Sequence, residues 1–172
     1  MQLKHRQMNH SDPVSVFLVD DDNLFLKSME HHLMHTLDPH VQISSFHSGE
    51  ECLPRLDEHT GFVVLDHRLN AQNPNAMNGL EALKKIKTLQ PEARVIILSG
   101  QENMEVALEA IKSGAFDYIV KNDKAFSKIH NLIRNSLHLK PKRTASKILF
   151  WTVGFLLLCL LAYLLRLNLK HP

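Results

Sequence analysis

Four runs of apolar residues each end on a group able to do chemistry. Val16-Phe17-Leu18-Val19 ends on Asp20-Asp21-Asp22, Phe62-Val63-Val64-Leu65 on Asp66, Val95-Ile96-Ile97-Leu98 on Ser99, and Ile119-Val120 on Lys121. If these ends meet, they gather carboxylates, a hydroxyl and an ammonium. Clustered carboxylates raise one another's pKa unless a cation sits among them, and oxygen-only ligands with a water-accessible mouth suit Mg²⁺. A carboxylate so placed can act as nucleophile toward a phosphoryl group, provided that Mg²⁺ and Lys121 neutralise the charge on the oxygens. Ser99 could then hydrogen-bond a phosphoryl oxygen only once the phosphate is present, which couples the chemistry to a structural readout.

The elements that must position these groups follow from an alternation of short β-branched runs with segments of helical period. Val14–Val19, Val41–Phe46, Phe62–Leu65, Arg94–Leu98 and Asp117–Val120 read as strands, each followed by a helix, the last ending near Leu139. Five strands alternating with five helices predict an α/β fold, a parallel sheet covered on both faces in a doubly wound, three-layer sandwich. Phe62–Leu65 and Arg94–Leu98 carry the continuous apolar runs of strands buried on both sides, whereas the partly polar Val41–Phe46 reads as an edge. In open parallel sheets ligands bind outside the carboxyl ends of the strands, which is where all four candidate groups fall.

The 172 residues, 44% of them hydrophobic, suffice for one domain with a real core plus an accessory segment. The formal charge of +2 points to no nucleic-acid groove, since several positive charges crowd into the linker 140–147. Beyond it lie eighteen uncharged residues, Ile148–Leu165. At 1.5 Å per residue that run is about 27 Å long as a helix, close to the hydrocarbon thickness of a bilayer. A buried sixth helix would show a polar stripe, and this run offers only Thr152 and Tyr163 besides Gly154 and Cys159. A transmembrane helix is therefore predicted, followed by a short tail, 166–172. Lys140, Lys142, Arg143 and Lys147 upstream outnumber Arg166 and Lys170 downstream, which keeps the globular side in the cytoplasm. The linker's charge can also attract anionic membrane lipid. Cys159 lies in the apolar run, so a disulfide with Cys52 is not expected and a reduced, intracellular protein is. Met1–Pro13 is a polar N-terminal tail without a secretory apolar region.

Five stretches, in order, are similar to one known family: Val16–Asp22, Val63–Asp66, Asn78-Gly79-Leu80-Glu81, Ile96–Gly100 and Gly114–Lys121. Between Val14 and Leu139 the chain resembles the receiver domain of two-component response regulators. The resemblance implies a flavodoxin-like sheet of strand order 2-1-3-4-5. It implies Asp66 as phosphoacceptor and Asp21 as a direct Mg²⁺ ligand, with Asp20 acting largely through water and the main-chain carbonyl of Arg68 completing the protein ligands. Lys121 contacts the phosphoryl group, Ser99 is the switch hydroxyl and Tyr118 the aromatic that turns inward when Ser99 moves. The donor is a phosphohistidine on a sensor histidine kinase or phosphotransfer protein. Such a chain is a signalling domain, not an enzyme, though it assists its own phosphorylation and dephosphorylation. Its output is contact with a downstream protein, here at the inner, cytoplasmic membrane.

Two departures from the family stand out. A long Asn-rich stretch, His67–Asn78, has Asn70 where the family has proline, and Lys121 is followed by Asn122 where the family has a proline after a cis bond. They leave open a membrane-anchored pseudo-receiver that binds partners without phosphoryl transfer. Among the remaining residues, Asp22 reads as a helix-start residue rather than a third ligand. His31 and His35, four apart on the first helix, read as a solvated face rather than a zinc site.

Overall fold

A computed structural model of the chain describes residues 13–70 and 75–138. The strands are β1 (Val14–Val19), β2 (Val41–Phe46), β3 (Thr60–Asp66), β4 (Arg94–Ser99) and β5 (Asp117–Val120). The helices are α1 (Asn23–Thr36), α2 (Gly49–Cys52), α3 (Gly79–Leu89), α4 (Met104–Lys112) and α5 (Ala125–His138). All five strands pair in parallel, in the order β2-β1-β3-β4-β5 that the resemblance implied. The chain divides into a unit of residues 1–135 and a second of 136–172, and the site lies in the first.

Alternation along each strand sorts the core into two layers. Phe17, Val19, Val63, Leu65, Val95 and Ile97 face one way and pack with Ala82, Leu83 and Ile86 of α3, Cys52 of α2 and Ala110 of α4. Val16, Leu18, Phe62, Val64, Ile96 and Leu98 alternate with them and are equally buried. Leu26 and Met29 of α1 meet Leu18, Val64 and Leu98 on that second side, and α5 joins α1 through Phe25 and Phe126. Each such side chain, fully withdrawn from water, contributes about 1.5–3 kcal/mol. β2, as expected, is an edge with alternate residues exposed.

Two elements differ from the sequence expectation. β3 starts at Thr60, ahead of the apolar run, because the Thr60 hydroxyl is tied to Asp57 and Ser15 N donates to His59 O, with a register irregularity between Ser15 and Val16. The helix after β2 stops at Cys52 and continues as a 3-10 turn, Leu53–Arg55. Pro54 is the cause, since it lacks the N–H that another α-helical turn would need. No peptide bond among the described residues is cis, so Lys121-Asn122 is trans. Among the described residues no helix is long and apolar enough to cross a membrane, and the run 148–165, with its linker and tail, lies outside them.

Candidate functional site

Val19 of β1 is in register with Leu65 of β3, so Asp20 and Asp66 emerge side by side at the carboxyl end of the sheet. The chain leaves β1 for β2 on one side and returns to β3 on the other. Strand order therefore reverses between β1 and β3, where open sheets leave a crevice. Asp20 and Asp66 are only 2% and 5% exposed, while Asp21 is half-buried beside them. One carboxylate oxygen from each of the three lies within 4.8 Å of the others. Lys121, reaching in from the end of β5, bridges two of them, its Nζ 2.6 Å from Asp20 Oδ2 and 2.7 Å from Asp66 Oδ1.

The second oxygen of each buried aspartate is held by the main chain. Asp22 N donates to Asp20 Oδ1 at 3.0 Å, and Arg68 N donates to Asp66 Oδ2 at 2.8 Å. Burial pushes the Asp20 carboxyl above its ordinary value, and the Asp66 charge adds to this. The hydrogen bonds from Lys121 and Asp22 oppose the shift without cancelling it. Burial alone would pull the Lys121 ammonium down. Its hydrogen bonds to Asp20 and Asp66, with their charges, outweigh burial and raise it. Three carboxylates against one ammonium leave the pocket short of positive charge, and every available ligand is an oxygen. That donor set fits a hard divalent cation such as Mg²⁺.

Local sequence fixes this geometry. Asp22 is exposed and caps α1, its Oδ1 accepting from Leu24 N and Phe25 N, which accords with its reading as a helix-start residue. Asn78 and Glu81 form a reciprocal capping box at the start of α3. Gly79 between them presses that helix onto the phosphoacceptor candidate, since a Cβ there would lie 2.2 Å from the Asp66 carbonyl oxygen. The long β3–α3 connection is tied at both ends. His67 N donates to Leu98 O and Gly79 N to His67 O, while Met77 N donates to Glu50 Oε1 and lowers that carboxyl's pKa.

Ser99 and Tyr118 meet at a single acceptor. The Ser99 hydroxyl donates to the Gln101 carbonyl at 2.9 Å, and the Tyr118 hydroxyl donates to the same oxygen at 3.0 Å. Ser99 is 6% exposed and Tyr118 half-buried. The Arg68 side chain is exposed, and a Cβ on Gly100 would lie 3.4 Å from its Nη2. His31 and His35 stack at 4.2 Å on the exposed face of α1, and no three-residue ligand group among the described residues includes them. Cys52 is a free, buried thiol whose pKa burial raises to about 12.

Asp20, Asp21, Asp66 and Lys121, chosen from sequence, thus come together, with Arg68 adjoining them, while Ser99 and Tyr118 converge on Gln101. Three contributors were not singled out: Gly79, the carbonyl of Gln101, and Phe25, over whose ring Lys121 Nζ sits 4.5 Å from the centroid. The motif around Gly79 was visible. Nothing in the sequence signalled the other two, because one is a main-chain group and the other an apolar residue of ordinary helical spacing.

Comparison with known proteins agrees with the fold. The family described as "Response regulator receiver domain" matches residues 16–134. The C4-dicarboxylate transport transcriptional regulatory protein DctD of Rhizobium meliloti is 36% identical over 109 residues, 62% of this chain and 22% of DctD. The chemotaxis protein CheY of Listeria monocytogenes is 34% identical over 104 residues, 60% of this chain and 83% of that protein. The BeF3-activated DrrB receiver domain superposes with a TM-score of 0.61 at 28% identity, covering 73% of this chain and 97% of that one. The chain spans less than two thirds of the length of several curated relatives, among them DctD at 22% and the response regulator protein TmoT of Ectopseudomonas mendocina at 60%.

Proposed function

We propose, from the premise that the chain belongs to the response regulator receiver family, that Asp66 takes a phosphoryl group from a phosphohistidine on a sensor histidine kinase or phosphotransfer protein, with Mg²⁺ required. The observation carrying this reading is the Lys121 ammonium, 2.6 Å and 2.7 Å from two buried carboxylates of a three-carboxylate cluster. Asp21 and Asp66 would hold the ion, with Asp20 acting largely through water and the Arg68 carbonyl completing the protein ligands. When bound, Mg²⁺ supplies the positive charge that lets an anionic phosphoryl group approach anionic Asp66. Arg68 N orients the carboxylate through Oδ2. As the Asp66 oxygen bonds to phosphorus, the P–N bond to the donor imidazole breaks, its electron pair staying on nitrogen. Lys121 then exchanges a carboxylate contact for a phosphoryl oxygen.

In this reading the phosphoryl group draws the Ser99 hydroxyl away from the Gln101 carbonyl. Tyr118 shares that acceptor, so its environment changes too, and the altered face is offered to a downstream protein. We further infer that Ile148–Leu165 anchors the protein in the cytoplasmic membrane with the receiver on the cytoplasmic side. The support is the length of the uncharged run and the Lys/Arg excess before it, which also attracts anionic lipid.

A membrane-anchored pseudo-receiver is the competing reading, favoured by the altered β3–α3 loop and by Asn122. NMR of the full chain in detergent, with Mg²⁺ and beryllofluoride as the phosphoryl mimic, separates the two. Amide shifts at Asp66, Ser99 and Lys121, absent in Asp66→Asn, are expected. An unchanged spectrum would leave only the pseudo-receiver.

A further inference from the structure

Lys121 reaches the pocket on a long, flexible side chain, and two carboxylates do not by themselves fix it. Its ammonium hangs on four methylenes carrying about 2 kcal/mol of rotamer entropy. No proline ring follows to restrict the backbone beyond it, because the next residue is Asn122. The ion pairs with Asp20 and Asp66 must also loosen when a phosphoryl group arrives. One further contact does not depend on either carboxylate. Phe25, in the first turn of α1, faces Lys121 Nζ at 4.5 Å from the ring centroid, within range of a cation–π attraction. The ring is itself held. Phe25 N donates to the capping Asp22 Oδ1 at 3.1 Å, and Phe126 at the start of α5 meets the ring edge-to-face, 5.4 Å between centroids and 85° between planes.

We propose that Phe25 is a positioning residue for phosphoryl transfer, a fixed aromatic wall that keeps the Lys121 ammonium over Asp66 while its carboxylate contacts are exchanged for the phosphoryl group. The proposal rests on the phosphoacceptor reading above. The negative face of the ring favours the ammonium at that one place, and the ring is braced by a helix cap on one side and by α5 on the other. The pocket group that its ring meets is the Lys121 ammonium, so it acts through that side chain. Leucine would keep the apolar contact with Phe126 and lose the attraction to the ammonium, whereas tyrosine would keep both.

The test uses the full chain in detergent micelles, as wild type, Phe25→Leu and Phe25→Tyr, with acetyl phosphate as donor. The Phe25→Leu protein should label about three- to thirtyfold more slowly, the size of a cation–π contact in a partly desolvated site, with Mg²⁺ affinity within about twofold of wild type. Phe25→Tyr should restore the rate. Without any phosphate, the Lys121 ε-methylene protons should show a ring-current displacement in wild type and Phe25→Tyr that is lost in Phe25→Leu. Equal labelling rates for Phe25→Leu and wild type, or a parallel loss of Mg²⁺ affinity, would overturn the proposal. If wild type takes no phosphate, the phosphoacceptor reading itself fails and with it the transfer role of Phe25. The methylene signal then still reports whether the ring holds the ammonium.

Discussion

Replacing Gly79 by alanine is the smallest change that should disturb both fold and site. The added Cβ would stand 2.2 Å from the Asp66 carbonyl oxygen and 2.8 Å from His67 Cα, both main-chain atoms that no rotamer change can move aside. Restoring ordinary contact at about 3.4 Å means that α3 withdraws, or β3 yields, by about an ångström. Overpacking of this kind costs about 1–3 kcal/mol. The withdrawal also strains the 3.0 Å hydrogen bond from Gly79 N to His67 O, a further loss of about 0.5–1.5 kcal/mol. Against this, alanine restricts the unfolded chain and returns about 0.4–1 kcal/mol. The net is a destabilisation of about 2 kcal/mol, equivalent to a urea midpoint lower by roughly 1 M for a domain of this size. Because the strain falls on the Asp66 backbone, phosphoryl transfer should slow as well, by up to about a hundredfold for a displacement of that order. Urea unfolding of a fragment ending at Leu139, with transfer from acetyl phosphate measured alongside, reads both effects. Gly49→Ala is the milder comparison, since its Cβ would meet Ala82 Cβ at 3.1 Å and Met77 Sδ at 3.3 Å and needs a shift of only a few tenths of an ångström. A Gly79→Ala protein with the wild-type urea midpoint and labelling rate would refute the close-approach reasoning.

Other outcomes follow from the pocket's charges and from the tail. Asp21→Ala should weaken Mg²⁺ binding about tenfold or more. Lys121→Ala should leave it equal or tighter, because the ammonium competes with the ion for Asp20 and Asp66; equal losses on metal titration would overturn this division of roles. Asp20 carries a raised pKa, so it takes up a proton at higher pH than an ordinary aspartate, and calorimetric Mg²⁺ affinity should decline as pH falls through that raised value. Its contribution to fold stability has the opposite sense, full below the ordinary aspartate value and lost as pH rises through the folded value. Asp20→Asn should flatten both trends, and persistence of the metal trend in that variant would assign it elsewhere. The full chain should stay with membranes through a high-salt or alkaline wash, whereas a fragment ending at Leu139 should be soluble. Protease outside intact cells should spare the receiver, and release of the full chain by salt alone would show a surface-bound tail.

The sheet and its reactive edge were legible because a strand buried on both faces has to be apolar throughout. Val63–Leu65 and Val95–Leu98 therefore announce themselves, and the first polar residue after each marks the rim. Asp20, Asp66, Ser99 and Lys121 were found that way. How they interact was not legible. The Lys121–Asp20 ion pair joins residues 101 positions apart, and no local pattern encodes it. The Gln101 acceptor is a main-chain carbonyl, which every residue possesses. Phe25 has an apolar residue's spacing on α1 and gains its role only because Lys121 arrives above it. Gly79 was visible as part of a motif, but the reason for a missing Cβ, contact with the backbone of Asp66, lies in the packing of α3 on β3. The premature end of α2 could have been read from Pro54.

The central claim, that Asp66 accepts a phosphoryl group in a metal-dependent step, is tested most directly by the intact mass of the full chain. Incubated with acetyl phosphate and Mg²⁺, the wild type should gain the mass of one phosphoryl group, lose that gain when the ion is chelated, and never show it as Asp66→Asn. A labelled Asp66→Asn protein, or an unlabelled wild type under saturating donor and Mg²⁺, would contradict the account and leave the chain a binding module built on the same fold.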